Sequence, residues 1–304
     1  MSLVQSRPGI EPAAPGPLKA QVSGAHAEPG GGLNVGRIVV YVLLFLGLIL
    51  LVGPFIWMVL GSFKPRGEFL QIPPTWLPEQ PTLDNYNRLV ERLDFPRYFF
   101  NSTVVAGVVT VANLIFAPML GFALAKLDFA GKGALMGLVI ATLMLPAAAT
   151  LIPLFVLMSS FDLVNTYPGL VLPFLAGPFG VFLTRQFFLG LPDELLEAAR
   201  IDGAGEFRTF FQIAMPLAAP VLATLGILTF LGSWNGFLYP LVMATSPEMY
   251  TLPVALATFA TGQFQADHGM LMAGSVILVL PVLIVFVLLQ RWITEGIATT
   301  GLKG

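Results

Sequence analysis

Long uncharged apolar segments dominate this chain of 304 residues. An α-helix needs about 20 apolar residues to cross the hydrocarbon core of a bilayer. Six segments reach that length, at about 38–60, 98–122, 134–158, 169–189, 220–243 and 270–290. Their apolar runs hold no Asp, Glu, Lys or Arg apart from Arg185 near one end, and prolines in or beside several of them permit kinks. Because lipid offers no partner to a free backbone N–H or C=O, we predict an all-α integral membrane protein with six transmembrane helices.

The composition agrees with a membrane protein and argues against several other classes. The chain is 56% hydrophobic and 11% charged, whereas soluble domains carry about 25% charged residues. Its net charge of -2 argues against binding to nucleic acid. There is no cysteine, and neither His26 nor His268 has a candidate ligand partner nearby in sequence, so we expect no metal site.

The chain divides into four parts. Residues 1–36 are rich in proline and glycine and cannot bury enough apolar area to offset their ordering entropy, so we predict a disordered cytoplasmic tail. The tail lacks the apolar region of a cleaved signal peptide, and the first span is expected to serve as an uncleaved anchor. Residues 37–97 hold that span and an extracytoplasmic segment. Residues 98–291 hold the remaining spans, and residues 292–304 form a cytoplasmic C-terminal tail.

The positions of Lys and Arg predict cytoplasmic termini. With six spans both termini lie on one side of the membrane, and that side holds ten Lys and Arg residues. The opposite side holds five, all between Lys64 and Arg97. Since cytoplasmic loops carry the excess of basic residues, the termini and the segment 191–219 are expected in the cytoplasm.

The segment between spans four and five is amphipathic and charged. Pro192 suits the first turn of a helix, and Asp193 and Glu194 lie where the helix dipole is positive. Gly203 and Gly205 are expected to end this helix, because glycine accepts the left-handed conformation of a helix C-terminus. A second helix is then predicted from about residue 206 to residue 216.

This first helix favours a protein partner over the bilayer surface. Glu197 and Arg200 are three residues apart and are expected to pair. An amphipathic helix that lies on a membrane carries many Lys and Arg residues on its polar face. Here the helix is net acidic, which disfavours contact with anionic lipid. A docking protein is therefore the better interpretation.

Four separated motifs resemble those of one transporter family. They are, in chain order, Pro73-Pro74-Thr75-Trp76 with Thr82-Leu83-Asp84-Asn85-Tyr86; Glu197-Ala198-Ala199 with Asp202-Gly203-Ala204, Ile213, Met215 and Pro216; Ser233-Trp234-Asn235 with Phe237-Leu238; and Gln290-Arg291-Trp292 with Glu295-Gly296 and Gly301-Leu302-Lys303-Gly304. The chain resembles the inner-membrane permease subunit of a prokaryotic carbohydrate-uptake ABC importer, of the maltose second-permease type. The resemblance covers most of the chain beyond residue 37. Met215 stands where leucine is commoner in the family's glutamate-alanine-alanine loop.

The resemblance implies roles for the matching residues. Six residues would form a coupling helix and its turn, which dock on an ATPase subunit: Glu197, Ala198, Ala199, Asp202, Gly203 and Ala204. Three residues would border the substrate pathway: Trp234, Asn235 and Tyr239. In the C-terminal tail, Gly301 and Lys303 would reach the ATPases. For Trp234 the alternative is packing between helices or a place in the aromatic belt at the membrane interface. For Asn235 the alternative is an interhelical hydrogen bond. Relatives usually have an acidic residue at the position of Gly236. The role of that acidic residue therefore has no counterpart in this chain.

The resemblance also implies an assembly of several subunits. The expected partners are a second homologous permease, two ATP-binding subunits and an extracytoplasmic sugar-binding protein, within membrane lipid. The chain lacks the G-x-x-x-x-G-K-[ST] loop that holds nucleotide phosphates. ATP and Mg²⁺ would therefore bind to the ATPase partners, and we expect neither a cofactor nor enzymatic activity on this chain.

The resemblance implies import of a di- or oligosaccharide such as maltose or trehalose. Three alternatives remain: a secondary transporter, a membrane scaffold and a glycerol-3-phosphate importer. A secondary transporter usually keeps ionisable residues inside its spans, which this chain lacks. A membrane scaffold would need no polar cavity. Among importers, glycerol-3-phosphate is the alternative substrate, but a phosphate favours Arg or Lys near the cavity.

Overall fold

The computed structural model describes residues 35–261 and 267–300, with side chains described as far as residue 288. All regular structure within these residues is helical. The α-helices are α1 Val35–Ser62, α2 Asp84–Arg92, α3 Phe95–Lys126, α4 Lys132–Met144, α5 Ala147–Ser160, α6 Tyr167–Val171, α7 Pro178–Leu189, α8 Asp193–Ile201, α9 Glu206–Thr209, α10 Met215–Leu217, α11 Ala219–Trp234, α12 Leu238–Met243, α13 Leu252–Thr261 and α14 His268–Thr300. Short 3-10 helices cover Arg66–Leu70, Leu172–Phe174 and Pro247–Met249, and a π-helix covers Phe210–Ala214. The tail predicted for residues 1–36 lies outside the described residues, except for its last two, which begin α1.

The described residues hold four to six candidate membrane helices. Four segments are each long and apolar enough to cross a bilayer, namely Gly36–Ser62, Phe95–Lys126, Tyr167–Leu189 and His268–Leu288. Two helix pairs reach the required length only together: α4 with α5, bent by 110°, and Glu206–Leu217 with α11, bent by 80°. The predicted number of six is therefore reached if each bent pair forms one span.

Proline accounts for the sharper bend. Pro146 separates Met144, the end of α4, from Ala147, the start of α5, and has an extended backbone with φ -65° and ψ 135°. Proline disfavours helical geometry in the residue before it and donates no backbone hydrogen bond. We expected a kink in one span over residues 134–158. The structure instead divides this segment into two helices.

α3 is the central helix of the described fold. It packs against α7 and α11, and α11 packs in turn against α14. Small residues lie on its buried surface, among them Ala106, Ala117 and Gly121. A Cβ at Gly121 would lie 2.8 Å from the backbone nitrogen of Arg185 on α7. Small residues let membrane helices approach closely, so these positions set the distance between α3 and its neighbours.

The chain forms two units, one ending at Leu51 and the other beginning at Val52. The described part of the first unit is the beginning of α1. Its large apolar side chains are exposed along the helix, including Tyr41, Leu43 and Leu50. A helix that is apolar on all sides suits a surrounding of lipid or protein rather than water.

Replacement of Gly121 by valine tests the close approach of α3 and α7. We expect Gly121→Val to lower the free energy of unfolding by about 1–3 kcal/mol, because added methyl groups force packed backbones apart. Gly107→Val on the same helix is the control, since a Cβ there meets no atom within 4 Å. Melting temperatures of the purified protein in detergent measure both changes. Equal losses in the two variants would contradict this packing.

Candidate functional site

The amphipathic helix α8 and the turn after it form the strongest candidate site. On its inner face Leu196 and Ala199 are buried. Leu196 belongs to an apolar cluster that also includes Phe122 of α3, Phe188 of α7 and Phe210 of the π-helix. We call this cluster the α8 seat, because it holds the inner face of α8 against three other helical segments.

The turn after α8 is closed by the two hydrogen bonds of a Schellman motif. The N–H of Ala204 donates to the C=O of Ala199 at 2.9 Å, and the N–H of Gly203 donates to the C=O of Arg200 at 3.0 Å. Gly203 has a φ of +78°, a conformation that a Cβ would strain. The predicted left-handed stop at Gly203 is confirmed. Gly205 instead has an extended backbone and directly precedes α9.

Two ion pairs hold α8 at its ends. Lys126 at the end of α3 donates from Nζ to the C=O of Leu191 and to Oδ1 of Asp193, both at 2.6 Å. Arg200 Nε lies 3.1 Å from Oε1 of Glu206, across the turn. The expected pairing of Arg200 with Glu197 is wrong, because the Schellman turn brings the start of α9 beside the end of α8. The Arg200–Glu206 pair is exposed on both sides, and such a pair contributes at most about 1 kcal/mol.

The six residues predicted for docking fall into two groups. Glu197, Ala198, Asp202 and Gly203 are exposed, and a Cβ at Gly203 would meet no atom within 4 Å. By contrast, Ala199 is buried and belongs to the inner face of α8. Ala204 is half-buried and takes part in the turn through its backbone N–H. Only the first group offers side chains or an open corner to a partner.

Two apolar residues that the sequence analysis did not assign lie beside this open corner. Ile201 is 86% exposed at the end of α8, and Phe207 is 72% exposed in α9. Large apolar side chains so exposed next to acidic residues are typical of interaction surfaces. Their signal in the sequence was a pair of large apolar residues that flank the Gly203–Gly205 corner in an otherwise polar segment. We call Leu195, Glu197, Ala198, Ile201, Asp202, Gly203 and Phe207 the α8 outer face.

A cavity of about 430 Å³ lies among α3, α6, α7, α11 and α12. Its lining is mostly apolar and includes the aromatic rings of Phe174, Phe179 and Phe237. Polar groups are contributed by residues such as Asn113 and Ser233. Apolar walls with a few polar groups are typical of small-molecule sites.

The cavity wall includes a break between two helices. α11 ends at Trp234 and α12 begins at Leu238, so the continuous span predicted over residues 220–243 is interrupted. Gly236 and Phe237 lie in the break and line the cavity. Irregular backbone at membrane depth is tolerated where protein buries it or where it lines a cavity.

Of the three residues predicted for the substrate pathway, Tyr239 lines the cavity. Its hydroxyl donates to the C=O of Gly169 at 2.7 Å, and its ring packs edge-on against Phe174 with the centroids 4.9 Å apart. These contacts connect α12 to α6 and to the 3-10 helix that follows it. A contact between Tyr239 and substrate stays a prediction.

Trp234 and Asn235 are not among the residues that line this cavity. Trp234 is 2% exposed, stacks on Phe230 and donates its indole N–H to the C=O of Leu278 at 2.9 Å. These contacts agree with the alternative that Trp234 packs between helices. Asn235, directly after the end of α11, is exposed and donates from Nδ2 to the C=O of Leu231 in α11 at 3.0 Å. Their assignment to the pathway stays a prediction.

Asn113 is a buried polar residue that the sequence analysis did not single out. Its Oδ1 accepts from the N–H of Gly177 at 2.7 Å, and its Nδ2 donates to the C=O groups of Phe174 at 2.5 Å and Val109 at 3.0 Å. The side chain thus satisfies backbone groups in the irregular segment before α7. The sequence feature that could have identified Asn113 is an amide side chain in the middle of the apolar run of α3.

Replacement of Asn113 by alanine tests this role. We expect Asn113→Ala to lower the free energy of unfolding by about 1–3 kcal/mol, because it leaves buried backbone groups without a partner. Asn235→Ala is the matched control, since within the described residues that exposed amide donates only to the C=O of Leu231, four residues before it. Melting temperatures in detergent compare the two, and an equal drop would show that the bonds of Asn113 contribute nothing special.

Comparison with known proteins identifies the class and the family. The family described as "Binding-protein-dependent transport system inner membrane component" matches residues 117–299. The arabinooligosaccharides transport system permease protein AraQ of Halalkalibacterium halodurans is 41% identical over 256 residues, covering 83% of this chain and 91% of that protein. The trehalose/maltose transport system permease protein MalG of Thermococcus litoralis is 33% identical over 271 residues, covering 86% of this chain and 97% of that protein.

A solved structure extends the comparison to the fold. It is a bacterial ABC transporter involved in the import of the acidic polysaccharide alginate, with a TM-score of 0.78 and 25% sequence identity. The match covers 84% of this chain and 96% of that chain. The fold and these matches define a class, the multi-pass membrane subunits of transport systems.

More particularly, the chain belongs to the family of binding-protein-dependent transport system inner membrane components, among the carbohydrate-uptake ABC permeases. The resemblance found in the sequence is thereby confirmed. Members of this family are transport components that work with a partner permease, ATPase subunits and a substrate-binding protein. The chain is therefore a transport subunit and not an enzyme.

Proposed function

We propose that this chain forms half of the translocation pathway of an ATP-driven importer for a di- or oligosaccharide. In this proposal each bent helix pair is one span, the chain crosses the membrane six times and both termini are cytoplasmic. One second permease, two ATP-binding subunits and an extracytoplasmic sugar-binding protein complete the assembly. ATP and Mg²⁺ bind to the ATPase subunits, and this chain holds no cofactor.

The single observation that carries the coupling role is the contrast between the two faces of α8. Through Leu196 the inner face packs against the rest of the α8 seat, which includes residues of α3, α7 and the π-helix. The outer face leaves Ile201 and the Gly203 corner open. A partner that moves α8 therefore also moves the helices that line the cavity, because α3 and α7 contribute to both.

The segment 191–216 is accordingly the coupling element of this proposal. Glu197, Ala198 and Asp202 present polar and small groups to a cleft of the ATPase, and Ala199 and Ala204 hold the helix and turn in shape. The docking role of the C-terminal tail, through Gly301 and Lys303, is part of the same proposal and lies outside the described residues.

A neutral sugar is favoured over glycerol-3-phosphate by the cavity. Among the residues that the structure describes, no Lys or Arg lines it, and four aromatic side chains do. Phosphate is usually held by charge-assisted hydrogen bonds from Arg or Lys. The names of the two permeases compared above, for arabinooligosaccharides and for trehalose and maltose, support the same choice.

Uptake by the complete complex tests the substrate class. The complex and its binding protein are reconstituted in vesicles with ATP inside, and labelled maltose, trehalose, arabinooligosaccharide and glycerol-3-phosphate are offered in turn. We expect ATP-dependent accumulation of at least one of the sugars. Accumulation of glycerol-3-phosphate alone would overturn the proposal of a sugar importer.

Gly203→Val tests the corner of the coupling element. Valine at a φ of +78° is strained, so we expect the turn to reshape and sugar uptake and substrate-stimulated ATP hydrolysis to be lost, with membrane insertion unchanged. Gly203→Asn is the matched control, because asparagine tolerates the left-handed conformation and should keep most of the uptake. Full uptake by Gly203→Val at normal expression would contradict the coupling role.

Ile201→Ser tests docking of an ATPase on the α8 outer face. Burial of an isoleucine side chain contributes about 1.5–3 kcal/mol, so its loss should weaken binding of the ATPase subunit by about tenfold to a hundredfold. The free permease should keep its melting temperature, because Ile201 is 86% exposed. Ile201→Leu is the conservative control, and ATPase retained on the purified permease is the measurement. Equal retention by both variants would place the docking surface elsewhere.

A further inference from the structure

An exposed apolar loop follows the C-terminal end of α1, within the second unit of the chain. It comprises residues 70–77, and we call it the Leu70–Leu77 loop. Ile72 is 96% exposed, Leu70 81%, and Trp76 and Leu77 are each 69% exposed. From Phe69 to Pro78 the chain has no charged side chain. Gln71 and Thr75 are the polar residues of the loop. An uncharged loop with four large apolar side chains this exposed is unusual in water and indicates an interaction site.

A buried polar network holds the loop in place. Lys64 and Glu68 are both buried, with Nζ and Oε1 3.6 Å apart. Lys64 Nζ donates to the C=O of Thr75 and, at 3.0 Å, to its Oγ1, and the Thr75 hydroxyl donates to Glu68 Oε1 at 2.5 Å. The backbone N–H of Glu79 also donates to Glu68 Oε2 at 3.3 Å. Since buried charges persist only when paired and hydrogen-bonded, the apolar side chains project from a defined base.

The position of Trp76 relates the loop to the bilayer. Its ring packs edge-to-face on Trp57 of α1, with the centroids 5.0 Å apart and the planes at 79°. Trp57 lies five residues before Ser62, the last residue of α1 and of a candidate membrane span. Five residues of helix measure about 7.5 Å along the axis. Trp76 is therefore level with the last turns of a membrane helix.

Tryptophan at this level is typical of a membrane interface. Trp and Tyr collect at the headgroup level of a bilayer, where the ring is buried and its polar edge stays wet. The ammonium of Lys64, just beyond the end of α1, lies 4.7 Å from the centroid of the Trp57 ring. The charged group of this network thus lies toward the end of the helix, next to aromatic rings.

We propose that the Leu70–Leu77 loop inserts Leu70, Ile72, Trp76 and Leu77 into the boundary between headgroups and acyl chains and anchors this part of the chain to lipid. The loop then enters the outer leaflet, an assignment that rests on the proposed orientation. Lipid is favoured over a water-soluble partner, because Trp76 lies beside the last turns of a candidate membrane helix, where the headgroups are expected. The absence of charge from Phe69 to Pro78 also favours lipid.

Site-directed spin labelling tests the proposal, since the chain has no cysteine to remove. Ile72→Cys and, as control, Asn87→Cys are labelled in the complete complex with cysteine-free partner subunits, in nanodiscs of phosphatidylethanolamine and phosphatidylglycerol. Asn87 is exposed on α2, next to Arg88. Collision with oxygen, which concentrates in lipid, is compared with collision with a water-soluble nickel chelate. We expect the oxygen-to-nickel ratio at position 72 to exceed that at position 87 several-fold.

Three outcomes would overturn the proposal. Equal ratios at the two positions would place the loop in water. Low accessibility of position 72 to both reagents would show that another subunit covers it. Nickel accessibility that disappears when the binding protein is added would make the loop a docking surface for that protein. Sugar uptake by the same labelled complex is measured separately, so a failure of the transport proposal is distinguished from a failure of lipid anchoring.

Discussion

A backbone N–H or C=O inside a bilayer has no water to bond with, and this structure depends on satisfying such groups wherever its helices are interrupted. Asn113 on α3 bonds the backbone of Phe174 and Gly177 in the segment before α7. Asn101, about three turns earlier on α3, donates to the C=O of Tyr250 shortly before α13. Through these two amides α3 holds irregular segments that are distant in sequence, and the cavity keeps a defined wall next to one of them.

In the proposed function, the two faces of the short helix α8 have different tasks. Leu196 enters an aromatic cluster, and Lys126 connects the start of α8 to the end of α3. The opposite face carries Ile201 and the Gly203 corner, which the rest of the described chain leaves open. A force applied to the open face reaches α3 and α7 directly, because packed side chains transmit displacement with little compression. In the proposed function, the seat and the corner therefore serve transport only in combination.

Most of the fold was predictable from the length and polarity of the apolar segments. Predicted spans at about 38–60 and 270–290 correspond to α1 and α14, since an uninterrupted apolar run in lipid has helix as its stable form. The breaks at Pro146 and at residues 235–237 were not predicted. A proline shows that one helix hydrogen bond is lost, but the bend that follows depends on neighbouring helices, and residues 235–237 contain no proline.

The sequence by itself determined the membrane class, the family motifs and the left-handed turn at Gly203, because each depends on composition or on local backbone geometry. Only the tertiary structure decided that Ala199 faces inward, that Arg200 pairs with Glu206 and that Trp234 is buried away from the cavity. Helical periodicity defines the faces of a helix, but it does not say which neighbour covers each face. Contacts between residues far apart in the chain decide which neighbour covers each face. As a result, some of the predicted site residues are used in packing and others lie on an open surface.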